Sequence, residues 1–265
     1  MINFVRYTFD SRIHYGILEG EKVAELTGGL FDPPNRTGLV RALGEVKLLA
    51  PCSPSKILAV GRNYKTHLSG PIQLPEPTRP EVFFKPVSSL QDPDGPIVVP
   101  SDSTDLHFEG ELVLVIGKRL RRASKADAAD GVFGVTCGND VSERNWQRGS
   151  DKDVQWWRAK GCDTFSPIGP VIATGLDYGN LKLRTRLNGN TVQDQSTADL
   201  IFDCATIVSF ISRYITLDPG DVVFTGTPGQ TRPMKPGDVV EVEIEGVGLL
   251  RNPLVAEEAA VGAGS

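Results

Sequence analysis

The chain has 265 residues, 40% hydrophobic and 23% charged, a globular composition with enough apolar mass for one large core and a small appended unit. Lysine and arginine total 28 against 33 acids, and a net charge of −5 without a basic run argues against nucleic acid and anionic membrane surfaces as partners. No apolar run approaches the roughly 20 residues that span a bilayer.

The opening MINFVRYTFD lacks the charged and apolar regions of a secretory signal, which predicts a cytoplasmic location. Cys52, Cys137, Cys162 and Cys204 form no CxxC pair and read as free thiols. Residues 1–52 read as a small β-rich domain in which runs at 13–18 and 22–26 flank the hairpin turn Glu19-Gly20-Glu21. Pro51-Cys52-Ser53-Pro54 marks a boundary. A larger domain spans 53–256, and 257–265 reads as a disordered tail. Within the larger domain, short β-like runs fall at 57–60, 82–84, 97–99, 112–116, 132–137 and 171–173. Asn188-Gly189, between a run at 182–187 and another around Val192, predicts a type I′ hairpin. Ile201, Cys204, Ile207, Val208, Ile211 and Ile215 recur at helical spacing and predict a helix within 199–215. Strands at 222–225 and 239–244 follow, each introduced by Pro-Gly-Asp. Many short strands and few helices predict an α+β, mainly β fold. The sequence has no GxGxxG and no Walker lysine, so Thr225-Gly226-Thr227-Pro228 is not a phosphate cradle.

The segment richest in chemistry is Leu106-His107-Phe108-Glu109-Gly110-Glu111, leading into the apolar run 112–116. Read as one strand, it places His107, Glu109 and Glu111 on one face ahead of Val113 and Val115. Two carboxylates so placed repel each other and are costly to bury unless a cation joins them. Left in solvent, they are an ordinary pair of surface acids. Gly110 between them lets another group approach the backbone closely. Further on, the run 132–137 breaks at Gly138-Asn139-Asp140, and 141–147 has a helix-compatible composition. A helix beginning there would put Asp140, Arg144 and Gln147 on one face. Taken alone, Asp140 reads as the cap of that helix. Lys160, in a polar glycine-bearing loop before an apolar strand, reads by itself as a surface lysine. His67 closes the segment Gly61-Arg62-Asn63-Tyr64-Lys65-Thr66-His67. Histidine is the usual proton-transfer residue near neutral pH, although a loop histidine alone reads as a surface residue.

Taken together and in order, these segments resemble the fumarylacetoacetate hydrolase family, which includes acylpyruvate hydrolases and 2-hydroxyhepta-2,4-diene-1,7-dioate isomerases. The resemblance runs from about Lys56 to Val255 through GRNYKTH, FFKP at 83–86, HFEGELVLVIGK, GNDVSERNWQ, KGCDTFSPIGP, the Asn-Gly hairpin, LDPGDVVFTGTPG and GVGLL. Each string is weak, but their order and spacing are specific. The resemblance implies a mixed β-sandwich roll, a homodimer, and one Mg²⁺ or Mn²⁺ on Glu109, Glu111 and Asp140. It implies catalytic roles for His67 and Lys160, and substrate contacts from Arg144, Gln147 and Thr227. All-oxygen ligation independently favours a hard cation.

One position departs from the family pattern. Hydrolases of this family commonly carry a glutamate three residues after the histidine, and here that position is Gly70. Glu76 and Glu81 are the acids that could take its place, although their solvated setting favours ordinary loop acids. The leading expectation is a metal-dependent hydrolase cleaving a C–C bond in acylpyruvate-like 2,4-dioxo acids through a metal-stabilised enolate. The alternative is a 2-oxo-acid decarboxylase or keto–enol isomerase on the same centre, and it gains if no carboxylate orients His67. The third is a catalytically idle metal-binding relative.

Overall fold

The computed structural model describes residues 1–69 and 74–258. Gly70, and all but the first two residues of the expected tail at 257–265, lie outside them. The architecture is mainly β, as the strand-rich pattern predicts. In spatial order, the main path of the larger sheet runs Arg36–Ala42, Lys22–Leu26, Arg12–Glu19, Ile2–Phe9, Ser166–Thr174, Val132–Asn139, Gly110–Ile116, Val222–Phe224, Ile57–Gly61 and Glu81–Lys85. Neighbours on this path are antiparallel except for Val222–Phe224 beside Ile57–Gly61, which makes the sheet mixed. The first strands of the chain therefore continue the central sheet, with the start of Ile2–Phe9 pairing antiparallel to the end of Ser166–Thr174 at Ile172, Ala173 and Thr174. A second sheet orders Asn190–Ser196, Lys182–Leu187, Val239–Ile244, Gly248–Ala256 and Ile97–Val99. No helix among the described residues is long and apolar enough to cross a membrane.

Local signals account for several elements. Lys182–Leu187 and Asn190–Ser196 are joined by Asn188 and Gly189 at φ 52° and 77°, the left-handed pair that a two-residue hairpin needs. The helix is shorter than its periodicity predicts, Cys204–Ser212, because the chain before it is engaged elsewhere. Ile201 N–H donates to the Asn63 carbonyl and Phe202 N–H to Asn63 Oδ1. Asp203 then caps the helix by accepting from Thr206 N–H at 2.8 Å.

Gly110–Ile116 is buried on both faces rather than lying half in solvent. Leu112, Leu114 and Ile116 pack with Leu183, Val242 and Ile244 of the second sheet. Val113 and Val115 pack with Ile57, Ala59 and Phe224 on the other side. The expected single strand from Leu106 is interrupted at Phe108 and Glu109, and Leu106–His107 pairs separately with Ser142–Glu143. Asp140 does not begin a helix either. Val132–Asn139 leads directly into it, and the short helix Arg144–Arg148 starts four residues later, capped by Glu143 accepting from Trp146 N–H at 2.9 Å.

Candidate active site

The three predicted acids meet because of strand register. Gly110 stands opposite Asn139 and Glu111 opposite Gly138, so Glu109, Glu111 and Asp140 flank one end of an antiparallel pair. The junction is pinned twice: Glu109 N–H donates to Asn139 Oδ1, and Asp140 N–H donates to the Glu109 carbonyl, both at 2.8 Å. One carboxylate oxygen from each acid lies within 4.8 Å of the others. The residues are only 4%, 1% and 1% exposed, which excludes the solvated-acid reading. Gly110 is needed between them because a Cβ there would stand 2.0 Å from Thr185 Oγ1.

Cations surround two of the three acids. Arg144 reaches Glu109 Oε1 at 2.5 Å, and Lys160 bridges Glu109 Oε2 at 2.5 Å and Asp140 Oδ2 at 2.8 Å. Lys85, fully buried, donates to Asp140 Oδ1 at 2.6 Å and to the Lys160 carbonyl. Burial disfavours the charged form of Glu109, but Arg144 and then Lys160 outweigh it and hold its carboxyl well below the usual range. Burial likewise opposes the Lys160 charge, yet Asp140 and Glu109 raise its pKa. For Lys85 burial prevails over Asp140 and lowers it.

Glu111 differs. Among the described residues its carboxylate has one hydrogen bond, from Gly226 N–H to Oε2 at 2.7 Å, and no Lys, Arg or His pairs with it. Burial, then Asp140 and Glu109, push its carboxyl well above the normal range. A buried acid facing two others without a counter-charge is the arrangement that a divalent ion would complete. The donor set fits a hard metal.

His67 sits apart, on the four-residue helix Lys65–Leu68. Its Nδ1 lies 2.7 Å from the Gly229 carbonyl, which can only accept, so in the neutral ring Nδ1 carries the proton and Nε2 keeps a free lone pair. Burial lowers the His67 pKa, against the opposing pull of Glu109. No carboxylate among the described residues bonds the imidazole, and 70–73 read Gly-Pro-Ile-Gln, which contains no acid. Glu76 pairs with Lys65 at 3.4 Å, and Glu81 is gripped by the Arg62 guanidinium.

His67, Arg144 and Gln147 line a cavity of about 640 Å³ together with Arg62, Arg148 and Trp156. Gln147 Oε1 accepts from Arg144 at 2.7 Å. Thr227 stands behind this wall, its hydroxyl donating to the Gly110 carbonyl at 2.9 Å and accepting from Gln193 Nε2 at 2.8 Å. Lys160 is on the short helix Trp157–Gly161 rather than in an open loop. His107 turns away from the triad toward Thr231 and Asp105. Sequence reasoning missed Lys85 as a functional residue, although FFKP was visible. A lysine closing a run of aromatics reads as a strand end reaching solvent, and only the fold shows it buried beside Asp140.

A sequence model described as Fumarylacetoacetate (FAA) hydrolase C-terminal matches residues 56–255, and one described as Rv2993c-like, N-terminal matches 3–51. The chain is 39% identical over 221 residues to an oxaloacetate tautomerase, the mitochondrial fahd2 of Xenopus laevis, covering 79% of this chain and 69% of that one. The crystal structure of 2-hydroxyhepta-2,4-diene-1,7-dioate isomerase from Mycobacterium marinum superposes with a TM-score of 0.89 at 39% identity, covering 98% of this chain and 100% of that one. Maleylpyruvate hydrolase from Sphingobium sp. SYK-6, in complex with manganese (II) ion and pyruvate, superposes with a TM-score of 0.79 at 27% identity, covering 97% and 100%.

Proposed function

The chain belongs to the fumarylacetoacetate hydrolase family, and we propose that it is a keto–enol tautomerase of small 2-oxo acids, using one Mg²⁺ or Mn²⁺ on Glu109, Glu111 and Asp140. The observation that carries this reading is the partner of His67: a backbone carbonyl where hydrolysis calls for a carboxylate.

A carbonyl fixes the tautomer and aims Nε2, but it adds no negative charge to stabilise an imidazolium. In the serine-hydrolase triad, replacing the carboxylate by an amide costs on the order of 10⁴ in rate through tautomer and charge together, and a carbonyl makes good only the first of these. Making hydroxide from water with a pKa near 15.7 needs that help. Removing a proton from carbon beside a carbonyl needs less, provided the enolate charge is stabilised. A divalent ion held by the three acids would supply that stabilisation as a Lewis acid.

The remaining work falls to the side chains of this chain. His67 Nε2 takes a proton from the carbon next to the keto group. The C–H electron pair forms the new carbon–carbon double bond, the carbonyl pair moves to oxygen, and that oxygen takes a proton from solvent. The imidazolium returns its own proton to solvent, and the reverse sequence restores the ketone. Lys160 keeps positive potential beside Glu109 and Asp140, where charge develops. Arg144 and Gln147, joined to each other, form one wall and orient the acid.

Hydrolysis of acylpyruvate-like 2,4-dioxo acids is the second reading. It is favoured by Glu81, which lines the same cavity as His67 and would complete a dyad on leaving Arg62. The two part in a panel of oxaloacetate, acetylpyruvate and fumarylpyruvate with Mg²⁺ or Mn²⁺. The expected result is rapid enol–ketone interconversion of oxaloacetate and little cleavage. Acylpyruvate cleavage with the higher kcat/KM overturns the tautomerase, and no metal-dependent turnover at all leaves an idle relative.

A further inference from the structure

We infer that Arg148 is the specificity-determining residue of a distal anion subsite, selecting 2-oxo acids that carry a second carboxylate. This rests on the 2-oxo-acid reading above and adds the class of substrate.

Three guanidinium groups line the cavity beside His67, and they are not equivalent. Arg144 is committed to Glu109 Oε1, Gln147 Oε1 and Thr231 Oγ1. Arg62 is committed to both carboxylate oxygens of Glu81. Arg148 has neither an ion pair nor a side-chain hydrogen bond among the described residues, although Arg158, close by in sequence, is matched to Asp151 and Asp153.

Arg148 lies four residues after Arg144 on the helix Arg144–Arg148, so the two side chains rise from one helix face about 6 Å apart along its axis. The helix thus holds one guanidinium against the carboxylate triad and offers a second one turn farther out, on the wall of the same cavity. Arg148 is exposed to solvent on this wall, and partial desolvation, then the positive charge of Arg144, push its pKa down against the pull of Glu109 and Asp105. An anion there would offset the charge of Arg144. A carboxylate is the natural occupant, because the planar guanidinium fork matches its two oxygens. Trp156 walls the same cavity with an apolar surface, which suits a short carbon spacer between the two acidic ends.

The test compares oxaloacetate with its 4-methyl ester, which keeps the 2-oxo acid and removes the second charge. The wild-type enzyme is expected to prefer the diacid by about tenfold or more in kcat/KM, the size of one charge-assisted contact. Arg148→Gln should raise KM for the diacid and bring the ratio toward one, with Arg148→Lys restoring part of it. Inhibition by oxalate, which mimics only the 2-oxo-acid end, should be much less affected. A wild-type enzyme indifferent to the ester overturns the subsite, as does an Arg148→Gln variant that keeps the preference or loses both substrates and oxalate equally. Should the wild type turn over neither compound, the tautomerase reading fails separately. Calorimetric binding of oxaloacetate and oxalate to the Mg²⁺-loaded wild type and Arg148→Gln then decides the subsite by the same ratio.

Discussion

The two ends of the site are built in different ways. The triad sits where two long strands of the central sheet meet, and its spacing follows from the register of Gly110 against Asn139. Every contact that holds it is buried. The histidine instead sits on a single helical turn that follows Arg62, at φ 57°, and it is oriented by the Gly229 carbonyl. A sheet can hold side-chain geometry unchanged while loops vary, so on the proposed reading the acid triad would stay fixed while the proton-handling end sets the reaction.

That division can be broken experimentally. Glu109→Gln or Asp140→Asn should abolish turnover and weaken Mn²⁺ binding by more than the roughly 10–100-fold that loss of a ligand's supporting partner costs. Calorimetric titration measures it, and a variant with full affinity and full rate would remove the metal centre from consideration. His67→Ala should lower kcat by about 10²–10⁴ while leaving Mn²⁺ affinity intact. If affinity falls together with rate, the two ends are not independent.

Glu81→Gln sharpens the contrast further. With a carbonyl-oriented histidine, oxaloacetate tautomerisation should change no more than after an ordinary surface substitution. A loss on the order of 10² or more would mean that Glu81 leaves Arg62 to serve His67. The smallest effect is in the pH profile. His67 must be neutral to act as a base, and its pKa is lowered, so the unprotonated form persists below the ordinary 6.5. The acid limb of kcat/KM should therefore have its midpoint below pH 6.5, and an inflection above it would assign the proton transfer to another group.

Much of this was readable from local chemistry. Asn188-Gly189 dictates its hairpin because both residues accept the positive φ that the turn requires. Glu109 and Glu111 declare themselves by a repulsion that burial would make intolerable. Signals that depended on where a helix begins were less faithful. Asp140 and Arg144 do converge on the site, but by strand pairing and a cap at Glu143, not by sharing a helix face. The helix expected within 199–215 lost its first residues to hydrogen bonds with Asn63, more than a hundred positions away. Lys85 and the Gly229 carbonyl were hidden for the same reason. Their roles come from partners brought near by folding, and neighbours in sequence carry no trace of them.

The pairing of Ile2–Phe9 with Ser166–Thr174 has a practical consequence for anyone trimming the molecule. A fragment beginning near Lys56 would retain every side chain named in the chemistry, yet would bare the Ile172–Thr174 end of a central strand. Unprotected edges of that kind recruit other chains. The first fifty residues thus cover that strand end, and removing them is expected to cost solubility before it costs catalysis.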